Sequence, residues 1–135
     1  MGGVSVGLVL VSHSARLADG LRELIEQVAQ GRVPIAVAAG AAEDSLGTNA
    51  LAIQEAVESL AGGDGVVVLL DLGSAVLSAE TALEELAPAL RDRVRMADAP
   101  FVEGAVAAAV ESSLGSDLEA VLAAAQSARG QEKLA

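Results

Sequence analysis

Val66 to Leu70 is five aliphatic residues in a row, preceded by Gly62, Gly63 and Asp64 and followed by Asp71. So short a run, with no polar alternation, reads as a central strand of a parallel sheet covered on both faces. Val4 to Val11 has the same β-branched, aliphatic character and is stopped by Ser12, His13 and Ser14, which makes it a first buried strand. Strands buried on both faces need helices above and below them.

The intervening segments supply those helices. From Ala15 to Gln30 the residues Leu17, Leu21, Leu24, Ile25 and Val28 recur at helical spacing, while Arg16, Asp19, Arg22, Glu23 and Glu26 take the other face and Ser14 stands at the N-cap. Val33 to Ala39 reads as a second strand and Gly40 to Gly47 as an acidic loop. A helix capped by Thr48 follows, with Ile53, Val57 and Leu60 inward. Asp71 to Ser74 opens a third helix, with Val76, Ala79, Leu83 and Leu86 inward, that ends near Pro88. Arg93 to Ala97 alternates basic and apolar residues, as a short strand with one exposed face would. Pro100 to Gly104 leads into two small helices, the second opened by a capping box of Ser116 and Glu119. This alternation predicts an α/β fold, doubly wound, with a mostly parallel sheet and helices on both faces. Residues 1–128 are expected to form the one domain and 129–135 a short polar tail.

Composition narrows the function classes. The chain has 19 acidic against 8 basic residues and a formal net charge of −11. That charge repels a nucleic-acid backbone or an anionic membrane, and with one Phe and no Tyr or Trp there are almost no rings on which bases could stack. It suits docking to basic proteins instead. Cysteine is absent and His13 is the single histidine, so thiolate chemistry and histidine-rich zinc sites fall away, and no metal or cofactor is expected. The early apolar run is too short to span a bilayer and no basic segment precedes a cleavage site, so the default expectation is a cytoplasmic protein.

In doubly wound sheets, ligands bind beyond the carboxyl ends of the strands. His13 follows the first strand and Asp71 the third, so both are expected on that rim. Each precedes a helix start whose amides favour an anion, which makes Ser14, Gly73 and Ser74 candidates for holding phosphate without a Walker motif. Asp71 has two readings from spacing alone. It either satisfies backbone donors at the helix start, or accepts a hydrogen bond from one imidazole nitrogen and leaves the other as the nucleophile. Gly73 and Ser74 divide in the same way between turn chemistry and phosphate cradling. Arg16 reads as solvated surface, and Glu103 as a charge at a helix start.

Five ordered segments carry a family resemblance: VSHS at Val11 to Ser14, LGTN at Leu46 to Asn49, DLGSA at Asp71 to Ala75, SAETALEEL at Ser78 to Leu86 and APFVEGA at Ala99 to Ala105. Together they resemble the phosphotransfer subunit of phosphoenolpyruvate-dependent dihydroxyacetone kinase, a relative of the mannose-class enzyme IIA domains. The resemblance implies that His13 accepts a phosphoryl group from HPr, itself charged by enzyme I and phosphoenolpyruvate. It further implies transfer to ADP on the nucleotide-binding kinase subunit, which phosphorylates dihydroxyacetone held by a third subunit. A homodimer and one antiparallel edge strand are implied as well. Some members carry HPr-like and enzyme I-like domains behind this one; here those donors are expected to be separate proteins. Mannose-class domains tend to have Thr-His-Gly at the phosphorylated histidine, so the bracketing serines favour the kinase subunit over sugar uptake. A mannose-class transport component and a module that binds a phosphorylated ligand without reacting are the alternatives.

Overall fold

The computed structural model describes residues 5–40 and 48–134, so the acidic loop and the first half of the LGTN segment lie, apart from Gly40, outside the described residues. The strands are β1 (Val6–Ser12), β2 (Ile35–Ala39), β3 (Gly65–Leu70) and β4 (Val94–Met96). They form one sheet in the order β2-β1-β3-β4, and every pairing is parallel. The two apolar runs are its two central strands. Among the described residues neither edge is antiparallel, because each chain segment between successive strands returns through a helix to the same end of the sheet.

Alternate residues of the central strands enter two separate cores. Leu8 and Leu10 of β1, with Val67 and Leu69 of β3, pack under α1 (Ala15–Ala29), α5 (Phe101–Ser113) and α6 (Leu118–Ser127). Val9, Val11, Val66 and Val68 face α2 (Ala50–Ser59), α3 (Ala75–Glu84) and the short α4 (Pro88–Arg91). Each of these fully buried aliphatic side chains contributes about 1.5–3 kcal/mol. In the near absence of aromatics, the space is closed by bringing backbones together. At Gly104 a Cβ would lie 2.9 Å from the Ala99 Cβ and 3.4 Å from the Ala125 carbonyl, so α5 meets its neighbours at a distance only glycine tolerates.

Several local expectations shift. In α1 the residues facing the core are Ala18, Leu21, Ile25 and Ala29, while Leu17, Leu24 and Val28 face outward, because small alanines seat the helix close to the sheet. Asn49, not Thr48, caps α2: its side-chain oxygen accepts from the amides of Leu51 (2.9 Å) and Ala52 (3.2 Å). Thr48 is instead hydrogen-bonded to the Ser78 hydroxyl at 2.8 Å. Asp117 caps α6 through the Ala120 amide, leaving Ser116 to bond Glu111 rather than complete a capping box with Glu119. The arginines around β4 are not simply solvated. Arg93 donates to the carbonyls of Gly63 and Ala61 just beyond α2, and Arg95 pairs with Glu119 across the edge at 3.0 Å.

Candidate functional site

The parallel register of β1 and β3 ends at Val11 opposite Leu70, and the Asp71 amide continues the ladder to the Val11 carbonyl at 3.1 Å. The next residues, Ser12 and His13 on one strand end and Asp71 on the other, are therefore brought side by side. They stand at the boundary where the chain goes to opposite faces of the sheet, which is where open α/β sheets place their ligands.

Asp71 is the hub. Its Oδ2 accepts from the Ser12 hydroxyl (3.0 Å) and the His13 amide (2.8 Å). Its Oδ1 accepts from the Leu72 amide (2.7 Å) and lies 3.0 Å from His13 Nδ1. Burial pushes this carboxyl up, but the hydrogen bonds from His13, Ser12 and Leu72 outweigh that and hold it below its ordinary value of 3.8. An ionised carboxylate only accepts, so in the neutral imidazole Nδ1 carries the proton and Nε2 keeps its lone pair. Nε2 in turn lies 2.9 Å from the Ser74 hydroxyl, the one partner there with a proton to give. The imidazole is about a quarter exposed, and the carboxylate behind it nearly buried.

Asp71 serves backbone and imidazole together: its carboxylate accepts from the amides of His13 and Leu72 and also faces Nδ1. It does not cap α3: that helix starts at Ala75, its N-cap position is Ser74, and Ser74 makes no side-chain capping bond. The hydroxyl that would have capped the helix turns to the imidazole instead. Ser14 does act as a cap, its oxygen accepting from the Leu17 amide at 3.2 Å, which leaves its hydroxyl proton available. Gly73 has no positive φ, and a Cβ there would meet nothing within 4 Å, so the turn itself does not demand glycine. Its bare backbone instead leaves open space beside the site. A cleft of about 380 Å³ adjoins it, with Asp71, Gly73, Val76, Met96 and Asp98 among its walls.

Ser12 is the residue that sequence reasoning passed over as a mere neighbour of His13. It is fully buried, and besides reaching Asp71 it accepts the Ser14 amide at 3.0 Å. A polar residue closing an otherwise apolar central strand was the available signal. Among the described residues no three His, Asp or Glu side chains converge as a metal site requires, and no helix is long and apolar enough to cross a membrane.

Residues 7–122 match the EIIA-man family model, described as the fructose IIA component of the phosphotransferase system. The chain belongs to the EIIA-man family. It is 48% identical over 120 residues to the phosphoryl donor subunit DhaM of the PEP-dependent dihydroxyacetone kinase of Escherichia coli, covering 87% of this chain and 25% of that protein. It is 41% identical over 117 residues to the DhaM of dihydroxyacetone kinase 2 of Listeria innocua, covering 87% of this chain and 94% of the relative. The chain therefore spans about a quarter of the enterobacterial subunit and nearly all of the Listeria one. Its fold also matches the crystal structure of a protein of unknown function, EF1359, with a TM-score of 0.84 and 34% identity over 96% of this chain and 98% of that one.

Proposed function

We propose that this chain is a phosphohistidine carrier serving a dihydroxyacetone kinase, with Nε2 of His13 as the atom that holds the phosphoryl group. One observation carries the reading: the single histidine has Nδ1 against a fourfold hydrogen-bonded carboxylate and Nε2 turned to a hydroxyl at the exposed side of the site. The relatives named as phosphoryl donor subunits support it.

In this reading HPr delivers the phosphoryl group from its own phosphohistidine. Nε2 attacks phosphorus as the donor's P–N bond breaks, and the positive charge that develops on the imidazole is met through Nδ1–H by Asp71. Phosphoryl transfer depends mainly on such positioning and charge stabilisation. Ser74 then turns its hydroxyl from Nε2 to a phosphoryl oxygen, Ser14 offers a second hydroxyl at the start of α1, and the open backbone at Gly73 leaves room for donor and acceptor. In the discharge step a β-phosphate oxygen of ADP on the kinase subunit attacks phosphorus, the P–N bond breaks, and ATP forms. The acidic surface suits a basic protein partner in either exchange. Pairing of two copies of the chain belongs to the same proposal.

The test is to supply phosphoenolpyruvate, enzyme I and HPr, and to measure acid-labile phosphate on the chain. Labelling of the wild type and none of His13→Ala is expected, followed by unloading onto the ADP-loaded kinase subunit. Unloading onto a membrane sugar transporter alone would move the assignment to the sugar-uptake branch. Binding of a phosphorylated ligand with no phosphohistidine at all would make the chain a sensor.

A further inference from the structure

The described residues bury two polar side chains, Ser12 and Ser112. Ser112 turns away from the site and donates to the Val6 carbonyl at the far end of β1. Ser12 turns into it. Its oxygen stands 3.0 Å from the Ser14 amide and 3.0 Å from Asp71 Oδ2.

A hydroxyl has one proton to give. The Ser14 amide is a donor and cannot take that proton, and at zero exposure no water can, so it points at Oδ2. Oδ2 is then held by two donors, the Ser12 hydroxyl and the His13 amide, while Oδ1 faces Nδ1 and the Leu72 amide. Turning the carboxylate out of this orientation would take Oδ2 from the Ser12 hydroxyl and leave that buried proton without an acceptor. We infer that Ser12 is a positioning residue: by clamping Asp71 in one orientation and tying the start of α1 to the end of β3, it sets which imidazole nitrogen of His13 is left free to react. The consequence for transfer rests on the phosphoryl-carrier reading above, whereas the consequence for the imidazole does not.

Because His13 is the single histidine, nitrogen NMR of the isotope-labelled imidazole reads its tautomer directly. At a pH about two units above the ordinary histidine value, the wild type is expected to show the Nδ1–H form. In Ser12→Ala a mixture of tautomers is expected, with single-turnover phosphoryl acceptance from phosphorylated HPr slowed about tenfold, the scale of one hydrogen bond to a charged group. Ser12→Thr, which keeps the hydroxyl, is expected to restore both. A folded Ser12→Ala protein with wild-type tautomer and rate overturns the inference. So does a Ser12→Thr protein as impaired as Ser12→Ala, since space and not the donor would then matter. Should Ser12→Ala not fold, Ser12→Cys, of similar shape but a weaker donor, is read the same way, and an unchanged tautomer in it counts against Ser12. If the wild type accepts no phosphoryl group, the carrier reading fails while the tautomer measurement still decides the role of Ser12.

Discussion

Asp71 accepts four hydrogen bonds, and all four donors come from β1, the residue after it, or its own neighbour in sequence. An amide in its place has one acceptor oxygen and one NH2, so in either orientation Asp71→Asn sets N–H against a donor. The substitution is expected to slow phosphoryl acceptance by roughly ten- to ten-thousand-fold, as loss of an orienting carboxylate does elsewhere. Single-turnover transfer from phosphorylated HPr measures it. A rate equal to wild type would leave His13 oriented by another group. The same four bonds make a stability prediction. The folded-state pKa of Asp71 lies below its ordinary value of 3.8, so the unfolded chain binds the proton more readily. The stabilisation is therefore present above about pH 4 and is lost as pH falls through the lower, folded-state pKa. Urea titrations should show wild type exceeding Asp71→Asn by about 1–3 kcal/mol at neutral pH, the worth of hydrogen bonds to a buried charge. The gap should close in strong acid.

Among the elements, α5 shows how an aliphatic chain closes its core. Ala105, Ala108 and Ala109 are wholly buried on it, and Gly104 brings the helix backbone against Ala99 and the Ala125 carbonyl of α6. Gly104→Val puts a Cβ 2.9 Å from the Ala99 Cβ, short of the contact distance of about 3.5–4.0 Å between carbons, with two methyls beyond it. It is expected to cost about 1–3 kcal/mol, the usual range for overpacking, and a lower denaturant midpoint without a change in slope would register it. Gly73→Ala, at a site with empty space in front of it, is expected to leave the unfolding free energy within about 1 kcal/mol of wild type. The boundaries of α1 and of the strands were legible in the sequence to within about two residues, but Pro88, expected to end the third helix, instead opens the separate α4 from its first turn, where a missing amide costs nothing, and α3 stops at Glu84. Caps were less legible. Thr48 and Asn49, or Ser116 and Asp117, are adjacent residues of similar capping power, and which one takes the extended conformation depends on where the incoming loop delivers the chain.

For the molecule as a whole, the proposed pairing of two copies is expected to give a dimer mass in sedimentation at micromolar protein. A monomer mass there would remove pairing from the proposal without touching the phosphohistidine chemistry. Leu51 on α2, Leu77 on α3 and Leu72 in the turn before it stand well exposed, and burial of any of them against a second copy would favour pairing.

Hydrophobic runs, their length and their punctuation determined the class of fold, the two central strands and the position of His13 and Asp71 at strand ends, because burial on both faces admits few other arrangements for runs like Val66 to Leu70. Only the tertiary structure decided that β1 and β3 are neighbours, that the edges run parallel, and that Ser74 leaves its helix to reach Nε2. Ser12 belongs to that second group. It lies within the VSHS segment, but neither that segment nor any periodicity says which group its hydroxyl meets. The Ser14 amide is two residues away, but the Asp71 carboxylate reaches Ser12 only when residues 59 apart in sequence lie side by side, at the end of a ladder whose hydrogen bonds are made between strands and not along the chain.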